Sequence, residues 1–183
     1  MSKGTWTVFM SLAFAAAMVG CGQSATAPVP QAANTTPTAS AAGAALLLHE
    51  QPTDAKPVAD VRESAEDGGD VTILGRIGGG TNPWVEGRAA FTIVDPKLNP
   101  CHPSEGCPTP WDYCCSTDQL PKNRAMIKVV DTAGGTVEED ARKLLGLKEL
   151  QTVVIKGKAK RDEAGNLTVL ASGVFIVPET ESK

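Results

Sequence analysis

A long hairpin near the C-terminus restricts this chain more than any other feature. In Gln151 to Lys160, Val153, Ile155, Gly157 and Ala159 face one way, and Val154, Lys156, Lys158 and Lys160 face the other. That is the period of two that sends alternate strand side chains to opposite faces. Asp162-Glu163-Ala164-Gly165-Asn166 reads as the turn, with Gly165 available for a positive φ. A second strand runs from Leu167 to Val177 and stops at Pro178. Strands this long must be flanked or closed, because a bare edge is a template for unwanted pairing.

Three shorter strands precede the hairpin. The first is Asp70 to Ile77, with Gly75 inside it at a position suited to a bulge or bend. Gly78-Gly79-Gly80-Thr81-Asn82-Pro83 breaks the chain. The second is Arg88 to Val94, closed by Asp95-Pro96, and the third is Ala125 to Val130, closed by Asp131. The period then changes. Thr136 to Leu145 reads as a short helix, with Thr136 and Glu139 in capping-box spacing and Arg142 and Lys143 near the negative end of the helix dipole. Gly146 supplies the stop. The order is three strands, a helix, then two strands. It resembles the OB-fold, a five-stranded Greek-key barrel with a helix between strands three and four. The resemblance rests on element order over residues 70–177, and the runner-up is an open β-sandwich with one helix. A barrel over residues 69–178 would use the glycines at 75, 157 and 173 for sharp coiling.

The segment 97–123 is long for a loop and contains four cysteines, Cys101, Cys107, Cys114 and Cys115. Loops of this length are normally functional or stapled. An even count in an extracytoplasmic chain points first to two disulfides. Adjacent Cys114 and Cys115 are poor partners for each other, because their ring strains the peptide between them. That leaves 101–114 with 107–115, or 101–115 with 107–114, each bridge adding roughly 2–3 kcal/mol. The alternative is a metal site for zinc or copper, made by the four thiolates or by three of them with His102. The gaps between these cysteines are not those of a zinc knuckle. A third reading is a redox-active thiol pair, although no Cys-X-X-Cys is present.

The N-terminus fixes the compartment. Lys3 is a small positive region, residues 6–19 are uncharged and largely apolar, and Gly20 precedes Cys21. Met18-Val19-Gly20-Cys21 resembles the lipobox of bacterial lipoproteins. The resemblance implies a signal peptide over residues 1–20 and acylation of Cys21, palmitate included. The chain would then be anchored to a membrane and lie outside the cytoplasm. From Gly22 to Ala45 the residues are almost all Ala, Thr, Ser, Pro, Gly, Gln and Asn. Such composition lacks the apolar mass to offset ordering, so 21–68 is expected to be the lipidated cysteine and a disordered tether, and 179–183 a tail. As a whole the chain also resembles small secreted, lipid-anchored proteins of planctomycete-type bacteria. These share the run Gly75-Arg76-Ile77-Gly78-Gly79 and the run Pro110-Trp111-Asp112-Tyr113-Cys114-Cys115. That likeness implies no known activity.

The net charge of −4 argues against a general nucleic-acid binder. Local basic and aromatic residues still define a candidate ligand face: Arg76, Trp84, Arg88, Lys128, and Lys156 with Lys158 on strand four. Trp111 and Tyr113 form either a ligand platform or the apolar base of the cysteine loop. The serine-hydrolase elbow, the zinc-protease helix motif and the phosphate-binding loop are all missing. The expected function is therefore that of a non-catalytic binding or structural module of the cell envelope, without a cofactor, facing an envelope ligand or protein. The alternative is a metal-binding or thiol-redox protein built on Cys101 to Cys115.

Overall fold

In the computed structural model, which describes residues 38–179, the expected strands close on themselves. Cys21 and the signal peptide lie outside the described residues, as does the tail beyond residue 179. In chain order the strands are β1 (Lys56–Pro57), β2 (Asp70–Ile77), β3 (Trp84–Val85), β4 (Ala90–Val94), β5 (Arg124–Val129), β6 (Thr152–Arg161) and β7 (Leu167–Ile176). The pairing runs β2–β6–β7–β5–β4, and β4 returns to β2 through Arg76 opposite Val94 and Ile77 opposite Ile93. The β5–β7 pair is parallel and the other barrel pairs are antiparallel. This is a closed, five-stranded OB-like barrel. Closure leaves β6 paired on both sides, so its lysines do not guard a free edge.

Strand alternation fills the barrel. On β5, Ala125, Ile127 and Val129 are buried while Arg124 and Lys128 are exposed. Ile73, Ile77, Phe91, Ile93, Ile155, Val169 and Val174 join them in one cluster. Gly157 marks a register shift between β6 and β7. A Cβ there would overlap the backbone carbonyl of Leu170, so the two strands can approach only because the side chain is missing. A second, smaller core of Val94, Leu98, Tyr113 and Leu120 lies under the cysteine loop. That loop contains three short 3-10 turns, Pro103–Glu105, Pro110–Asp112 and Cys114–Ser116. Among the described residues no helix is long and apolar enough to cross a membrane.

Two expectations are corrected. Residues 38–68 are not a free tether. Helix α1 (Ala41–Ala44) is capped by Ser40, whose backbone N–H donates to the Leu144 carbonyl at 3.0 Å. Leu46 and Leu48 exchange backbone hydrogen bonds with Val174. Helix α2 (Val58–Ser64) buries Val58 and Val61 in the main core. The polar composition of 22–45 dominates the reading of the whole stretch, whereas a few apolar residues suffice once a barrel is there to receive them. The helix between strands three and four is also shorter than expected. After α3 (Leu120–Asn123), helix α4 spans only Ala141–Leu145. It is capped by Asp140 rather than Thr136, and ends at Gly146 with φ 68°. Val137 is drawn off by sheet-like bonds, accepting from Ala89 and donating to Val129.

Candidate functional site

The outward face of β5 forms the floor of a groove of about 730 Å³. Arg124, Met126 and Lys128 fall on one side of the strand by simple alternation. Thr92 of β4 lies opposite Met126, and Thr168 of β7 lies beside it in the parallel pair. Arg62, from α2, reaches across. Its guanidinium donates to the Arg124 carbonyl at 2.9 Å and the Gly165 carbonyl at 3.4 Å. Arg124 donates to the Gly79 carbonyl at 2.8 Å. Both guanidiniums are thus positioned by neutral backbone acceptors. Among the described residues neither Arg62, Arg124 nor Lys128 belongs to an ion pair. Burial lowers the Arg62 pKa from its ordinary value, and the charges of Arg161 and Arg124 lower it further. The acid at the rim, Asp162, is occupied by Asn166, which donates to it from its backbone and its side-chain amide at 2.8 Å each. Among the described residues no aromatic side chain lines the groove.

The expected ligand-face residues do not form one site. Lys128 lies in the groove, and a neighbouring hollow joins it to Arg88, whose exposed side chain pairs with Glu138 at 3.0 Å. Lys156 and Lys158 share a different hollow with Asp70, which pairs with Lys158 at 2.9 Å. Trp84 is buried, donates to Glu149 at 2.6 Å and lies under the Arg142 guanidinium. Tyr113 is fully buried in the small core. Both aromatics are removed from the ligand face because their rings are worth more as packing than as platforms. Arg76 donates to the Leu98 carbonyl at 3.3 Å, and Trp111 donates to the Thr81 carbonyl at 3.1 Å. These two side chains hold the cysteine loop down. Arg62 and Arg124 escape the sequence reading. The first sits in a stretch read as tether, and the second precedes the expected start of its strand by one residue. The alternation Arg124, Met126, Lys128 was the available signal.

The cysteine loop gathers its sulfurs. Tyr113 adopts a left-handed conformation, φ 58° and ψ 35°, between two 3-10 turns. A ring-bearing residue accepts that geometry only under constraint, here the burial of its ring. The reversal lets adjacent Cys114 and Cys115 point into one cluster, with their Sγ atoms 3.9 Å apart. Cys114 Sγ lies 2.9 Å from Cys107 and 3.4 Å from Cys101, and Cys107 lies 3.9 Å from Cys115. All four sulfurs lie within 4.8 Å of one another. No S–S bond joins these four cysteines in the structure. His102 is not in the group; its Nδ1 is 2.7 Å from the Ser104 hydroxyl.

Carboxylates and thiols set the protonation of this cluster. Asp112 accepts from the Cys114 backbone at 2.8 Å and the Thr109 hydroxyl at 2.7 Å. The Thr109 bond is the main reason its pKa is lowered. Glu105 accepts from the His102 backbone at 2.6 Å, and the Cys115 thiol donates to it at 3.5 Å. Burial pushes the Cys101 thiol up, but the Cys115 backbone N–H and the neighbouring thiols outweigh this and bring it down. Cys114 is pushed up by donating to Cys107 and Cys101, and Cys115, donating to Cys101, is pushed up to about 12. Cys101 is thus held below the ordinary thiol range while Cys114 and Cys115 are held above it.

No protein-family model and no curated protein matches the chain. Among solved structures it is similar to an OBody bound to hen egg-white lysozyme, at 13% identity and a TM-score of 0.41, over 72% of this chain and 98% of that one.

Proposed function

We propose that this protein is a non-catalytic binding module of the cell envelope, anchored through Cys21 and binding an anionic group in the groove on β4, β5 and β7. One observation carries the reading: Arg62, Arg124 and Lys128 converge on the groove without a carboxylate partner among the described residues. Two of the three are fixed by carbonyl oxygens. Asp162 at the rim offsets part of this charge, but it is held by Asn166, so three cations face one carboxylate among the described lining residues and little side-chain freedom remains to be lost on binding. A guanidinium fork fits the two-oxygen edge of a phosphate or carboxylate. The described residues give the groove no aromatic surface on which bases would stack, which supports an envelope polymer or headgroup over nucleic acid. The lipobox and the likeness to planctomycete-type lipid-anchored proteins support an extracytoplasmic, membrane-anchored position for the module.

The full chain in detergent would be titrated at low salt with inorganic pyrophosphate and, separately, with oligogalacturonate. Binding of at least one is expected, weakened about tenfold or more by Arg124→Ala, as for loss of a charged hydrogen bond, and weakened further by added salt. Binding to neither, or equal binding by the variant, would count against the reading. Cys21→Ser should move the chain from the membrane fraction to the soluble one; unchanged membrane association would remove the anchor from the proposal.

A further inference from the structure

We propose that Cys101, Cys107, Cys114 and Cys115 form a mononuclear metal site that holds Zn²⁺ through four thiolates. The site is separate from the anion groove and does not depend on it. Four sulfurs placed tetrahedrally about 2.3 Å from a zinc ion are about 3.8 Å from one another. Cys107–Cys115 and Cys114–Cys115 are both at 3.9 Å and Cys101–Cys114 is at 3.4 Å. Cys107–Cys114, at 2.9 Å, has to open, and the two remaining pairs, both to Cys101, lie within 4.8 Å. The arrangement is a star rather than two pairs. Cys114 stands within 3.9 Å of three other sulfurs, and a disulfide would use only one of them.

The surroundings select the charge of the ion. Asp112 lies 3.8 Å from the Cys101 sulfur and Glu105 lies 3.5 Å from the Cys115 sulfur. Four thiolates beside two carboxylates repel one another, and a divalent cation offsets twice the charge that copper(I) would. Without metal the same atoms remain thiols, each acting as a donor or acceptor to its neighbours. Binding breaks four S–H bonds, forms four Zn–S bonds and releases the protons to solvent. The site would also tie the three 3-10 turns together. It would hold Tyr113 in the small core and Trp111 against residues 78–81, where Gly79 donates to the Trp111 carbonyl at 2.8 Å. The spacing of the cysteines in sequence hides this, because the left-handed turn at Tyr113 is what brings the adjacent pair inward.

The exported full chain would be isolated in detergent without reductant or chelator. Its metal content would be measured, and its thiols alkylated after denaturation. One zinc per chain and four alkyl adducts are expected at Cys101 to Cys115. After metal removal under reductant, Co²⁺ alone should bind at one equivalent, with sulfur-to-cobalt charge-transfer absorption and the strong visible bands of a tetrahedral site, and Zn²⁺ should displace it. Cys114→Ser should weaken binding more than about 100-fold, beyond the usual effect of an outer-shell change. Cys107→Ser is a second variant at another ligand, and His102→Ala should bind as the parent does. Absence of metal with no alkyl adducts would mean two disulfides and would overturn the proposal. So would copper(I) in place of zinc, a cobalt complex without thiolate absorption, or undiminished binding by both serine variants.

Discussion

Val58→Ala tests whether residues 38–68 belong to the folded body. Val58 is 0% exposed and Val61 is 2% exposed, one helical turn apart on α2 and both in the main core. Truncating a buried valine to alanine removes two carbons, about 1.6 kcal/mol at about 0.8 kcal/mol per methylene. The cavity left behind raises this to about 2–3 kcal/mol. A domain of this size shifts its midpoint by about 3–5 °C per kcal/mol, so Val58→Ala should lower Tm by about 6–15 °C. Val61→Ala should fall in the same range, with the double variant short of additive because the two sites share neighbours. Thermal unfolding followed by near-UV circular dichroism reads the change, with exposed Glu63→Ala as the control expected within about 0.5 kcal/mol. If Val58→Ala melts with the parent, α2 is not packed on the barrel and the account of this region is wrong.

Asp95 should matter for the same helix. Pro57 offers α2 no side-chain cap, and the buried Asp95 carboxylate accepts from Ala59 N–H at 2.8 Å instead, so Asp95→Ala should cost about 1–2 kcal/mol in urea unfolding. Tyr113→Phe should be neutral or stabilise by up to about 1 kcal/mol, because among the described residues no group makes a well-formed hydrogen bond to the buried Tyr113 hydroxyl; a clear loss in the same urea assay would show that the neighbouring Arg76 guanidinium satisfies it. Asp140, whose pKa is lowered first by Arg142, stabilises the fold above the ordinary aspartate pKa of about 3.9 and loses that contribution as pH falls through its lower folded value. Asp140→Asn should therefore flatten the acid limb of the stability–pH profile and leave its alkaline side unchanged. Gly157→Ala, set against the Leu170 carbonyl, should destabilise by about 1–3 kcal/mol in thermal unfolding.

The barrel was legible because its strands obey period two. Val153, Ile155 and Ala159 are buried and Lys156 and Lys158 exposed, as the alternation requires, while Val154 on the opposite face is buried as well. What failed depended on tertiary partners. Thr136 and Glu139 match a local capping box, yet the sheet bonds of Val137 outcompete a helical start there. Val58 and Val61 are too few to mark a helix in a polar stretch, and they matter only because the barrel supplies the other half of the contact. Trp84 and Tyr113 looked like ligand residues because an aromatic beside a loop has the same sequence signature whether it points in or out. Arg62 and Lys128 are 66 residues apart in sequence, and only the folding of α2 across β5 brings them to one groove.

The most direct test of the binding account is amide chemical-shift mapping of the full chain in detergent during titration with inorganic pyrophosphate at low salt. The account predicts saturable shifts confined to the groove, at Arg62, Thr92, Arg124, Met126, Lys128 and Thr168, and their loss in Arg124→Ala. Shifts centred on Lys156 and Lys158, or none in the groove while the anion binds elsewhere, would contradict it.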